Sequence, residues 1–426
     1  MTNFIKNACK YTSSLNFSLV GSEAFKFSSS LYIYKITGDF WLVTILYLLI
    51  QLPSLIVYLF STKIVKRWEN DKLILLISDL ISALVLGILL IIFFLGLDIK
   101  TYQFSIILIF FNTLLGFIHS FRFIYLKNIV YFLAQNQKQM VNINILSTFA
   151  TSMGFLLSAI FGLFLYTKLE FYWMIIFNLF TYLVSGFLYY SLKLNSQKIE
   201  FSMLDEKPKK VIHNYPKINF YKWLFIFSGS LVISIIMIPK LSGFAQFFKY
   251  INSGINLDQK NLIYYDFQIW GPYLNIAFSF AAIIGTLINL WLSNKKGKIF
   301  NINFLIFPLI LVHLIWLIIP KSANMHFQFY SYIIIIIIVQ ILFSLFLPSF
   351  YSLSYNLFTK EKFHFQNGIQ LAARIIFSSI FSIITTAITL VSSYFFSYLV
   401  FVIVLSVLLL INSYSLFRIT GGFKKY

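Results

Sequence analysis

The sequence predicts an all-α membrane protein, with twelve transmembrane helices arranged as two pseudo-symmetric six-helix bundles. Three observations carry this expectation. Only 11% of the 426 residues are charged while 59% are hydrophobic, and the mean hydropathy is +0.84. A soluble chain carries about 25% charged residues, so this one is too poor in charge to cover an ordinary water-exposed surface, and lipid is the solvent that suits it. The charges that remain leave long apolar gaps of the length a membrane helix needs, and the basic residues fall unevenly between alternate loops.

A span requires about 20 mostly apolar residues. The first, 16–35, is interrupted by Glu23 and Lys26. Asp39 to Lys63 then encloses 23 uncharged residues. Lys72 to Asp98 is broken only by Asp79. Lys100 to Arg122 encloses 21, Lys138 to Lys168 encloses 29, and Glu170 to Lys193 encloses 22. Residues 193–217 hold Glu200, Asp205, Glu206, Lys207, Lys209 and Lys210 with Pro208 and Pro216, and read as a hydrophilic linker. Beyond it, Lys222 to Lys240 encloses 17, Asp266 to Lys295 encloses 28, and Lys298 to Lys321 encloses 22. Lys321 to Lys360 holds one helix and a loop. Its run Ile333 to Ile338 would favour a strand in water, but in lipid a helix satisfies its own backbone. Arg374 to Arg418 encloses 43 residues, enough for two helices joined near Ser392-Ser393, with Arg374 at the start of the first. The expected domains are therefore 1–192, the linker 193–217, and 218–426.

Orientation follows from the distribution of cations. With the N-terminus inside, the termini and alternate loops on that side hold 23 of the 33 Lys and Arg residues, and the opposite loops hold seven. Both termini and the linker are expected in the cytoplasm of a bacterial plasma membrane. The net charge of +20 is accounted for by these topology determinants, so no nucleic-acid partner is expected. The single Cys9 excludes disulfides and thiolate clusters. The five histidines (His119, His213, His313, His326, His364) lack metal-ligand spacing. No phosphate-binding Gly-x4-Gly-Lys-Ser/Thr loop and no His-Glu-x-x-His motif occurs. Cofactors and enzymatic chemistry are not expected.

Six helices, a charged linker and six more suggest an internal duplication. Met140 to Asn144 opens helix 5 as Phe363 to Asn367 opens helix 11. Lys66-Arg67 follows helix 2 as Lys295-Lys296-Gly297-Lys298 follows helix 8. The stretch Leu52-Pro53, then Lys66-Arg67-Trp68-Glu69-Asn70-Asp71-Lys72, then Ser78-Asp79-Leu80 resembles the major facilitator superfamily, in its macrolide-efflux-like branch. That branch reads Leu-Pro, Asp-Arg-Trp-Asp-Arg-Arg and Ser-Asp-Leu there. Ile36-Thr37-Gly38, Asn144, and Asn178 with Ser185 extend the likeness. Lys66 departs from the family's aspartate and Thr62 from its glycine. A lysine would be repelled by the helix N-terminus that the aspartate is thought to face, which leaves Glu69 or Asp71 as the nearest carboxylates.

The resemblance implies a secondary transporter, most simply a proton-driven exporter of amphiphilic or drug-like small molecules working by alternating access as a monomer. An importer of a small nutrient or lipid precursor is the alternative within that class. A non-transporting membrane subunit or a membrane-embedded enzyme is the alternative outside it. Ionisable groups within spans are functional candidates. Glu23 and Lys26, at i and i+3 on one helix face, are candidates for proton or substrate coupling or else form a neutralising pair. Lys66, Arg67, Trp68, Glu69, Asp71, Asp79 and Arg122 form the candidate cytoplasmic gate, with a salt bridge expected between Asp79 and Arg122. Gln51, Asn112, Asn178, Asn275 and Gln340 either line a cavity or join helices.

Overall fold

The computed structural model describes residues 3–37, 40–68, 70–95, 102–134, 137–193, 216–236, 238–239, 242–253, 267–296, 302–319, 324–357 and 360–420. The regular elements among them are helices, in the order α1 (Asn3–Thr37), α2 (Phe40–Gln51), α3 (Ser54–Leu59), α4 (Ser61–Arg67), α5 (Asp71–Phe94), α6 (Tyr102–Leu133), α7 (Gln137–Lys168), α8 (Phe171–Tyr190), α9 (Pro216–Ile235), α10 (Ser242–Ser253), α11 (Phe267–Lys296), α12 (Ile302–Ile318), α13 (Met325–Asn356), α14 (Lys360–Val391) and α15 (Tyr394–Thr420). In lipid this follows from the backbone itself, because each amide must find its partner within the segment. Eight of the described helices are long and apolar enough to cross a membrane, and three apolar stretches, Ile45–Leu59, Phe220–Ile235 and Ile302–Ile318, are shorter.

Local chemistry sets the ends. Asn70 caps α5 by accepting from the Leu73 amide at 3.3 Å, with Asp71 in the first turn. The apolar stretch 40–62 is divided, since Pro53 has no amide hydrogen to continue α2, and Phe60 separates α3 from α4. The first helix is longer than its apolar part. It begins at Asn3 because its polar first turns are tied to the end of α8: Asn7 Nδ2 donates to the Lys193 carbonyl at 2.7 Å and Lys10 Nζ to that of Ser191 at 3.0 Å. The segment expected between Lys222 and Lys240 is α9, which starts earlier, at Pro216, and is followed by the separate helix α10. α14 and α15 part at Ser392-Ser393. Arg374, expected to open a helix, lies in the middle of α14, because that helix continues back through polar residues to Lys360.

The chain forms two compact units, Met1–Glu206 with Lys360–Ala372, and Lys207–Thr359 with Ala373–Tyr426. In the first, α1 packs against α2, α6, α7 and α8, and α5 packs against α6 and α8. Small residues allow the close approach, as is usual where lipid offers no hydrophobic contrast. A Cβ at Gly21 of α1 would collide with Thr181 Oγ1 and lie 2.7 Å from Asn178 Oδ1 on α8. In the second unit, α9 packs on α15, α11 on α13, and α12 on α13 and α15. A Cβ at Gly285 of α11 would stand 2.6 Å from the Ile341 carbonyl of α13. The pairings α1–α8, α5–α8, α5–α6 and α2–α6 of the first unit have counterparts in α9–α15, α12–α15, α12–α13 and α11–α13 of the second.

Candidate coupling and gating groups

The apolar interior of the first unit contains a fully buried ion pair. Asp79 stands just over two turns into α5, and Arg122 is on α6. Arg122 Nη1 lies 3.0 Å from Asp79 Oδ1, with the two side chains 2% and 0% exposed. The contact is a charge pairing without the alignment of a hydrogen bond. Asp79 Oδ2 instead takes a 2.5 Å hydrogen bond from Ser185 Oγ of α8. The guanidinium is completed by two aromatic faces, Tyr182 at 5.8 Å and Tyr189 at 5.7 Å from the ring centroids, in cation–π geometry. Tyr182, Ser185 and Tyr189 recur at i, i+3 and i+7, so one face of α8 closes over the pair that α5 and α6 present. Gly186 sits where a Cβ would come within 3.0 Å of the Asp79 Cβ. The salt bridge expected between Asp79 and Arg122 is thus present. The α8 spacing was the available signal for its three other members, of which only Ser185 stood out in the sequence.

A second charged pair lies on α1. Lys26 Nζ is 2.6 Å from Glu23 Oε1, and their side chains remain 19% and 23% exposed. That residual exposure separates the two pairs, because Glu23 is partly exposed and Asp79 is sealed.

Around the first pair, Arg67 and Trp68 are exposed at the end of α4. The Trp68 carbonyl accepts from Tyr125 Oη at 3.1 Å, and its ring meets Phe121 at 6.4 Å between centroids. Asp71 is buried in the first turn of α5. Lys66 belongs to α4, and Glu69 lies outside the described residues, as does nearly all of the 193–217 linker. The opening turns of α14 join this unit. A Cβ at Gly368 would collide with Ser61 Oγ and lie 2.5 Å from the Tyr58 carbonyl.

The amides divide between burial and exposure. Asn112 joins α6 to α1 through Nδ2, which donates to Ser29 Oγ at 3.1 Å and to the Leu108 carbonyl at 2.9 Å. Asn178 is fully buried in α8 opposite Gly21. Both join helices. Gln51 is exposed at the end of α2, Asn275 is half-buried in α11, and Gln340 is buried in α13. Arg374 donates to Tyr351 Oη at 2.9 Å. In the second unit the polar core missed by sequence reasoning is aromatic. His313 Nδ1 and Tyr398 Oη are 2.7 Å apart, and the hydroxyls of Tyr332 and Tyr394 meet beside Trp316.

Long apolar helices that hold a buried ion pair and a bonded amide between them mark a polytopic membrane protein. The sequence profile of the Major Facilitator Superfamily matches residues 13–382, and the chain belongs to that superfamily. Among solved structures, it is similar to a bacterial homologue of the iron transporter ferroportin in an outward-facing state with soaked iron, at 14% identity and TM-score 0.65, covering 97% of this chain and 99% of that one. A second structure of a bacterial ferroportin homologue in the outward-facing state matches at 13% identity, with the same TM-score and coverage. At such identities the likeness is one of fold. No curated protein matches the sequence.

Proposed function

We propose that this chain is a proton-coupled exporter of amphiphilic small molecules, with twelve spans in two six-helix bundles, and with both termini and the 193–217 linker in the cytoplasm. The recurrence of four helix pairings in the two units supports the duplicated layout, and the bias of basic residues supports the orientation. The observation that carries the coupling is the Glu23–Lys26 pair, a carboxylate on α1 that stays partly exposed while paired at 2.6 Å. Proton coupling needs a group that charges in one environment and is neutral in another. Approach of Lys26 favours the carboxylate of Glu23, and desolvation away from that partner favours the acid. Alternating exposure of the α1 face would exchange these two environments.

The Asp79–Arg122 cluster and the α4–α5 turn then serve as the gate. This reading is supported by the position of Gly368 against Tyr58 and Ser61, the latter on α4, the helix that ends at Arg67. The ferroportin homologue with soaked iron raises a metal as an alternative cargo. Among the described residues no three His, Cys, Asp or Glu side chains gather as a metal site, and the apolar, amide-bearing interior is better suited to an organic substrate.

The test is reconstitution in proteoliposomes with an imposed pH gradient and a panel of fluorescent amphiphiles. Glu23→Gln is expected to abolish gradient-driven accumulation while preserving counterflow exchange. Gradient-driven transport at the normal rate by folded Glu23→Gln protein would refute the coupling role.

A further inference from the structure

His119 has no role in the machinery described so far, yet its position on α6 is informative. α1 and α6 run antiparallel through the first unit: Tyr32 meets Phe104 with ring centroids 6.0 Å apart, and Ser29 Oγ accepts from Asn112 Nδ2 at 3.1 Å. Asn112 therefore marks the face of α6 turned toward α1, and His119, seven residues further, is on that same face. On α1 the corresponding face runs from Ser29 back through Lys26, three residues earlier, to Ser22. By that antiparallel register His119 lies level with about Ser22, one turn from Lys26 on the facing side of α1 and in the direction a helical side chain leans. His119 Nδ1 is sealed from solvent and has no hydrogen-bond partner, and the ring rests against Phe123 at 6.3 Å. A sealed ring nitrogen without a partner is costly, which makes it a ready acceptor for any donor that reaches it.

We propose that His119 is the second acceptor for Lys26: when Glu23 takes up a proton, the Lys26 ammonium leaves it and donates to His119 Nδ1. The reason is charge balance. With Glu23 ionised, Lys26 has a carboxylate at 2.6 Å. With Glu23 protonated, that carboxylate is neutral and the ammonium needs another acceptor in a partly apolar setting. The nearby alternatives are poor. On α6 Arg122 repels Lys26, and Asp79 of α5 is already held by Arg122 and Ser185. The hydroxyl of Tyr47 on α2 donates to Ser30 Oγ at 3.4 Å, and the rings of Tyr182 and Tyr189 on α8 lie over Arg122. A neutral imidazole is the suitable partner, since in the tautomer that carries its proton on Nε2 the unpartnered Nδ1 offers a lone pair. No proton is transferred in the handover. The proton taken from solvent stays on Glu23, and Lys26 exchanges one hydrogen-bond acceptor for another. His119 is accordingly a positioning residue that registers the protonation of Glu23 on α6, the helix that also carries Arg122.

This inference rests on Glu23 as the coupling carboxylate, and its test does not depend on transport. The full chain, labelled with ¹⁵N-histidine and held in nanodiscs, gives the Nδ1 resonance of His119, assigned by its disappearance in His119→Gln. In the unaltered protein the resonance is expected at the position of an unbonded, unprotonated nitrogen. In Glu23→Gln it should move upfield as Nδ1 accepts from Lys26, and in Glu23→Gln/Lys26→Met it should return. Should Glu23→Gln fail to fold, Glu23→Leu removes the same acceptor and predicts the same shift. A resonance that stays in place when Glu23 is neutralised, or that moves equally without Lys26, overturns the handover. Proton-driven transport by Glu23→Gln would refute the coupling assignment while the resonance separately decides the handover.

Discussion

Asp79→Asn in the first unit removes one charge from a pair that has almost no water around it. The carboxylate it replaces faces Arg122 Nη1 at 3.0 Å and takes a 2.5 Å hydrogen bond from Ser185 Oγ, and neither charged side chain is more than 2% exposed. The asparagine amide keeps a hydrogen-bond acceptor for Ser185, so the main loss is electrostatic: Arg122 is left with only the Tyr182 and Tyr189 rings to balance a buried charge. Breaking a buried pair at one partner costs about 3–5 kcal/mol, whereas replacing both by apolar groups of similar volume is often neutral or stabilising. For a unit of this size each kcal/mol lowers the melting temperature by about 2–4 °C, so Asp79→Asn should lower it by about 6–20 °C. Asp79→Leu/Arg122→Met should recover most of that loss. The assay is thermal unfolding of detergent-solubilised protein followed by fluorescence-detected size exclusion. If Asp79→Asn melts within a degree or two of the unaltered chain, or if the double variant is as unstable as the single, the pair does not hold α5, α6 and α8 together as argued.

Three other expectations follow, two from the packing and one from the bias of basic residues. Gly21→Ala places a methyl against Thr181 and Asn178 across the α1–α8 contact and should markedly reduce the yield of folded protein, while Gly87→Ala, with nothing within 4 Å of the new Cβ, should be neutral or gain about 0.5–1 kcal/mol of helix stability; relative monodisperse yield and melting temperature distinguish them. In a cysteine-free background, Ser196→Cys in the linker and Lys424→Cys in the tail should react with membrane-impermeant maleimide only after the cells are opened, and labelling of intact cells would reverse the topology. Arg67→Ala at the exposed end of α4 should slow turnover and leave substrate affinity in the outward-facing state nearly unchanged, as read by stopped-flow binding beside transport rate. A loss of affinity with unaltered conformational exchange would place Arg67 in the substrate site.

Much of the fold could be read from the sequence because, in lipid, each helix satisfies its own backbone and its existence is a local property. The gaps between charges located most of the apolar segments, and Ser392-Ser393 marked the joint between α14 and α15. Where the reading missed, a distant residue was responsible. α1 starts thirteen residues before its apolar part because Asn7 and Lys10 bond to carbonyls at the end of α8. Spacing also placed Glu23 and Lys26 on one face, since i and i+3 is a relation within a single helix.

The tertiary structure alone decided which polar groups meet between helices. Hydropathy sets how deep a residue lies but leaves the rotation and the neighbours of its helix undetermined. Ser185 reaches Asp79 across 106 residues of chain, and Asn112 is committed to Ser29 rather than to a cavity. The orphaned Nδ1 of His119 is likewise visible only in the packed structure. These pairings depend on how closely backbones approach at positions such as Gly21, a matter of shape complementarity between segments far apart in sequence. The sequence by itself determined a helical chain suited to lipid, with its few ionisable groups in view. The packing decided that one of their pairs is sealed against the rings of α8 and that the other remains partly exposed.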